Sequence, residues 1–115
     1  MAEVYEHEAG RIIIGHSDEE LSIGLLILNP QSRYVRHNRP VKEQLTQAHG
    51  SCTMELIENG KQKSVVLNAG DTLEIPANQF HTHTNPNDET SVTMWKFEGD
   101  ITQVIDGIRK SMKKV

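Results

Sequence analysis

A single cysteine, Cys52, occurs in the 115 residues, which excludes an intrachain disulfide framework and a Cys-based zinc cluster. A lone thiol fits a reducing compartment, and the expected location is the cytoplasm. Long apolar runs are missing too. The longest, Leu25 to Leu28, falls far short of the roughly 20 residues that span a bilayer, and the first ten residues are acidic, so neither a membrane anchor nor a signal segment is expected. There is no excess of positive charge: 12 Lys and Arg against 16 Asp and Glu leave a formal charge of -4. Nothing in that balance attracts a phosphate backbone, and no helix-turn-helix pattern appears, so nucleic acid is not an expected partner. Repeats, low-complexity tracts and linkers are also lacking, and the length suits one domain over residues 1–115.

What is present is β-patterning. From Arg11 to Glu98, short apolar or alternating runs are broken by Gly, Pro, Asn and Asp, with no helical period of useful length. The expected strands are Arg11–His16, Leu21–Leu28, Tyr34–His37, Gln44–His49, Cys52–Glu58, Lys63–Leu67, Thr72–Ile75, Phe80–Thr84 and Val92–Phe97. Glu58-Asn59-Gly60 reads as a hairpin turn and Ala69-Gly70-Asp71 as a tight turn. Closing so many short strands into a barrel or sandwich removes exposed edges. After Phe97 the period changes: Ile101, Val104, Ile105, Ile108, Met112 and Val115 form the stripe of an amphipathic helix over about 100–114. Asp100 and Gln103 are spaced as a capping-box pair, and Lys110, Lys113 and Lys114 sit where they would oppose the helix dipole. The stripe needs a surface, either the barrel or a second subunit.

Of the six histidines, His7 and His16 near the start read as exposed and without special role. His81 and His83 are two apart in a β segment, so both side chains leave one face. His37, Arg39 and Glu43 form a second polar cluster on another strand and its connection. Gln44, Gln47, Gln79 and Thr82 are polar groups near the same clusters, and a solvated strand face explains them equally well. Cys52 is expected to pack as a small apolar side chain, and Trp95, with Phe97 on the same face, to fill the barrel or a subunit contact.

The spacing of these clusters resembles the cupin family of β-barrels. Gly70, Pro76, Asn78, His81 and Asn85 match the second cupin motif, in which Gly, Pro, Gly, His and Asn are separated by five, one, two and three residues. Only the inner glycine differs, as Asn78, a residue that tolerates positive φ better than most. His37, Arg39, Glu43 and Gly50 align with the first motif, with Arg39 standing where a second histidine belongs and the leading glycine missing. The resemblance covers roughly Leu21 to Phe97. It implies an all-β, jelly-roll barrel over about 11–98 with a C-terminal amphipathic helix, resembling small single-domain cupins, and a homodimer.

Carried over position by position, the resemblance implies His37, Glu43 and His81 as ligands of a divalent metal such as Fe, Mn, Ni or Zn. Arg39 stays protonated and cannot ligate a cation. Either His83 or His49 is the candidate replacement imidazole; His83 is otherwise a substrate-binding residue. Arg39 has two readings, a salt-bridge partner for Glu43 or a clamp for an anionic group of a small-molecule substrate. Two functions therefore stand side by side. In one, a metal held by His37, Glu43 and His81 acts as Lewis acid or oxygen activator in an oxygenase- or isomerase-type reaction. In the other, a metal-free pocket binds or isomerises a sugar or small organic acid through Arg39, Glu43 and His81 or His83.

Overall fold

The computed structural model describes residues 2–115. In chain order the elements are β1 (Glu3–His7), β2 (Gly10–Ser17), β3 (Leu21–Leu28), β4 (Ser32–Arg33), β5 (Glu43–His49), β6 (Ser51–Glu58), β7 (Lys61–Asn68), β8 (Thr72–Ile75), β9 (His81–Asn85), β10 (Ser91–Glu98), α1 (Thr102–Ser111) and β11 (Lys113–Lys114). Two sheets face each other, a seven-stranded one in the order β11-β1-β2-β3-β10-β5-β8 and a four-stranded one in the order β4-β9-β6-β7. All the pairings within named strands are antiparallel. Residues alternate in and out along β3, β6 and β10, and their inward sets supply Leu26, Leu28, Cys52, Met54, Leu56, Trp95 and Phe97 to the core. The helix then lays Ile105 and Ile108 on the core, so the amphipathic stripe covers the barrel of its own chain.

The expected turns form. Asn59 and Gly60 both take positive φ, 50° and 76°, between Glu58 and Lys61, which is what a two-residue hairpin demands. Asn78, at the place of the motif's inner glycine, has φ 67°. Gly24 is required for another reason: a Cβ there would lie 2.0 Å from the Ile13 carbonyl oxygen and 2.4 Å from Trp95 Cζ2. The indole of Trp95 lies across the strand partner that has no side chain.

Four expectations need correction. The sheet starts before residue 11, because Glu3–His7 pairs with β2; its polar residues hide the pattern, and only Tyr5 is fully inward. Tyr34–His37 is not a strand. β4 stops at Arg33, and His37 makes an isolated bridge to His81. Between the Arg33–Thr84 and His37–His81 pairs, four steps on one side match three on the other, so one residue is bulged out. The helix ends at Ser111, and Lys113 and Lys114 instead form a two-residue strand opposite Glu6 and Tyr5 of β1. The capping box does not close either: Asp100 Oδ1 accepts the Thr102 N–H and hydroxyl, Ile101 occupies the cap, and Gln103 makes no reciprocal bond.

Candidate metal centre

The bulge explains how the site assembles. Tyr34 and His37 are an odd number of residues apart and would face opposite ways on a regular strand. The extra residue reverses the alternation once, and both line the same interior cavity. On β9, His81 and His83 point inward together, two residues apart as strand geometry requires. Glu43 opens β5 from the opposite sheet and is 2% exposed.

These four side chains converge. His81 Nε2 lies 3.2 Å from Glu43 Oε1, His83 Nε2 lies 3.1 Å from Oε2, and His37 Nε2 stands 3.9 Å from Oε1. One ligand atom from each of the four falls within 4.8 Å of all the others, a grouping that could hold a metal ion. The far nitrogens decide how the rings present themselves. His37 Nδ1 donates to the Val35 carbonyl and His81 Nδ1 to that of Gln79, both at 2.9 Å, which turns Nε2 of each ring toward the carboxylate. An Nε2 that carries a proton donates to the carboxylate, and one that carries a lone pair faces it favourably only across a positive centre. Two donors each about 2.1 Å from one ion at right angles are about 3 Å apart, so the 3.1 and 3.2 Å contacts suit a shared divalent metal. His83 Nδ1, by contrast, is buried without a partner.

Burial alone would raise the Glu43 carboxyl, but the three imidazoles outweigh it and hold the group well below the usual carboxylate range. Burial pushes His37 down to about 4, against the pull of Glu43, so this ring is neutral at physiological pH. A neutral imidazole and an ionised carboxylate are the protonation states a metal needs.

Arg39 turns inward and lines the cavity with Tyr34, His37, Glu43 and His83. Burial lowers its pKa from the usual arginine value, offset by Glu43 and Tyr34, and burial raises that of the Tyr34 phenol. Of the two readings of Arg39, the bidentate pair with Glu43 is absent: both carboxylate oxygens face imidazoles, and no Arg39 nitrogen comes within ion-pair distance. His49 leaves the site altogether. It would share the inward face of Gln47, but β5 bulges between them, with Thr93 opposite Gln47 and Val92 opposite His49, and His49 swings out to Glu89 at 2.9 Å.

Other polar residues take up positions away from the cluster. Gln47 is buried, accepting from Thr93 and donating to Ser91 and the His49 carbonyl. Thr82 is also buried. His7 is half-buried with its Nε2 unpartnered, its Nδ1 accepting the Ala9 N–H and its ring 4.9 Å from Tyr34. Cys52 packs as expected, with burial pushing its thiol up to about 11. His16 is exposed and pairs with Asp18.

Among solved structures, Bacillus subtilis oxalate decarboxylase superposes on this chain. A structure of it studied for its Mn(II) centres aligns with TM-score 0.76 and 24% identity over 83% of this chain. Its structure at pH 4.6 aligns with TM-score 0.75 at the same identity and coverage. The barrel is a cupin fold. The chain spans 27% of the length of those oxalate decarboxylase chains, so the likeness describes one barrel of a larger protein. No protein-family model and no curated protein matches this sequence. No helix among the described residues is long and apolar enough to cross a membrane.

Proposed function

We propose that this cupin barrel binds a divalent metal through His37, Glu43, His81 and His83, and uses Arg39 to orient an anionic group of a small substrate beside it. The observation that carries the reading is the pair of imidazoles whose Nδ1 atoms are committed to backbone carbonyls while their Nε2 atoms face one buried carboxylate. His83 then occupies the place that Arg39 vacates in the first motif. Three imidazoles and one carboxylate suit first-row metals such as Mn, Fe, Ni or Zn. When bound, the metal supplies Lewis-acid or oxygen-activating chemistry.

The protein's own groups define the rest of the reaction site. The Val35 and Gln79 carbonyls fix the tautomers and orientations of two rings. Arg39 brings a fixed positive charge and five N–H donors in a planar fork, the shape that grips a carboxylate or phosphate. The apolar wall of Trp95 and Phe97 limits water around these charges and so strengthens them. The deciding experiment is elemental analysis of untagged protein, repeated after chelation and re-addition of Mn, Fe, Ni and Zn. Near-stoichiometric metal that is lost in a folded His81→Ala variant is the expected result. Protein that takes up no metal at any loading would sink the proposal and leave Arg39 and the imidazoles as a metal-free acid–base pocket.

A further inference from the structure

The cavity beside the four-residue cluster is polar at one end only. Tyr34, His37, Arg39, Glu43 and His83 form that end, the Tyr34 and His37 rings 5.6 Å apart. The barrel contributes Ile12, Leu26, Trp95 and Phe97 to the remaining wall, and α1 with its preceding residue closes it with Ile101, Val104, Ile105 and Ile108. The volume is about 40 Å³. One water needs roughly 10–15 Å³, so this space suits a small ligand.

From this division we infer that the ligand is a short unbranched monocarboxylate, held by its carboxylate at Arg39 with its alkyl tail against the helix. The inference rests on the metal-cupin reading for the chemistry done on that ligand, but not for its binding, because the clamp is Arg39. Sugars are excluded by the same wall: each hydroxyl turned toward Trp95, Phe97 or Ile105 would lose its water without gaining a partner. A second carboxylate at the tail end meets the same obstacle more severely. Ile105, 1% exposed on the inner face of α1, sets the length limit.

The test is calorimetric titration of the full chain, metal-loaded and metal-free, with acetate, propionate, butyrate, hexanoate, succinate and ribose. Affinity should peak at propionate or butyrate and fall at least tenfold at hexanoate. Succinate, which matches butyrate in carbon number but ends in a charge, should bind at least a hundredfold more weakly than butyrate in the metal-free protein, and ribose should not bind. Arg39→Gln should weaken butyrate at least tenfold with metal content unchanged. Ile105→Ala should move the optimum to a longer acid and Ile105→Phe to a shorter one. Succinate or ribose binding as well as butyrate, or no dependence on chain length, would overturn the inference while leaving the metal result standing. Loss of metal uptake with the chain-length profile intact would instead refute the metal reading alone.

Discussion

Gly24 and Gln47 show how much of the barrel hangs on single residues away from the candidate metal centre. Gly24→Ala would push a methyl group into the Ile13 carbonyl and the Trp95 ring, both in the packed interior. Overpacking of this kind costs about 1–3 kcal/mol or more, and the backbone oxygen cannot move aside cheaply. Urea unfolding should show a lowered midpoint with an unchanged slope, the shift multiplied by the slope giving that loss. Gln47→Leu keeps the volume but orphans the Thr93 hydroxyl, the Ser91 hydroxyl and the His49 carbonyl. Stability should fall by about 2–4 kcal/mol, more than for a surface glutamine such as Gln62. An equal loss in Gln47→Leu and Gln62→Leu would contradict this account. A solvated face and an inward position are equally open to Gln47 from sequence, since glutamine is usually exposed; only the neighbouring strand β10, contributing Ser91 and Thr93, gives it partners inside.

At the scale of elements, α1 is held over the barrel by apolar burial and by a clamp at its far end. Arg109 Nε and Nη2 donate to the two oxygens of Glu3 on β1, at 3.0 and 2.8 Å, and β11 continues the chain as a strand beside β1. Arg109 and a hydrogen bond from the Tyr5 hydroxyl hold the Glu3 carboxyl at about 2, below its ordinary value of 4.5. A folded-state pKa depressed in this way stabilises the protein fully above about 4.5, and the contribution disappears as pH falls toward 2. The clamp is half in water, so its worth is about 0.5–1 kcal/mol. Stabilities derived from thermal melts of wild type and Glu3→Gln should differ by that amount at pH 6 and converge as the pH approaches 2. A gap that stayed constant with pH would assign the effect to packing instead. The helix stripe was legible, but its end was not: Met112, Lys113 and Lys114 fit a helical period as well as a strand, and the free edge of β1 was hidden because β1 itself was unseen.

For the molecule as a whole, the two sheets supply different parts of one centre, so ligand binding and folding are linked. Glu43 comes from the seven-stranded sheet, His81 and His83 from the four-stranded one, and His37 from the segment leading away from it. Free metal at a hundredfold excess over Kd should stabilise the folded state by about 2.7 kcal/mol, read as a raised Tm that Glu43→Gln largely abolishes. A Tm insensitive to Mn, Fe, Ni and Zn would argue that the centre does not hold a metal. The sequence by itself determined the strands with strong alternation, the Asn59-Gly60 hairpin, the positive φ at Asn78 and the shared face of His81 and His83, because each depends on residues close together in the chain. Through the resemblance to the cupin motifs it also pointed to His37, Glu43 and His81. Tertiary structure alone decided that His83 faces Glu43, that Arg39 enters the cavity without pairing with it, and that His49 turns outward. The outward turn of His49 and the inward one of His37 depend on two bulges, and a bulge is set by how one strand registers against its neighbour, a relation that no local pattern encodes.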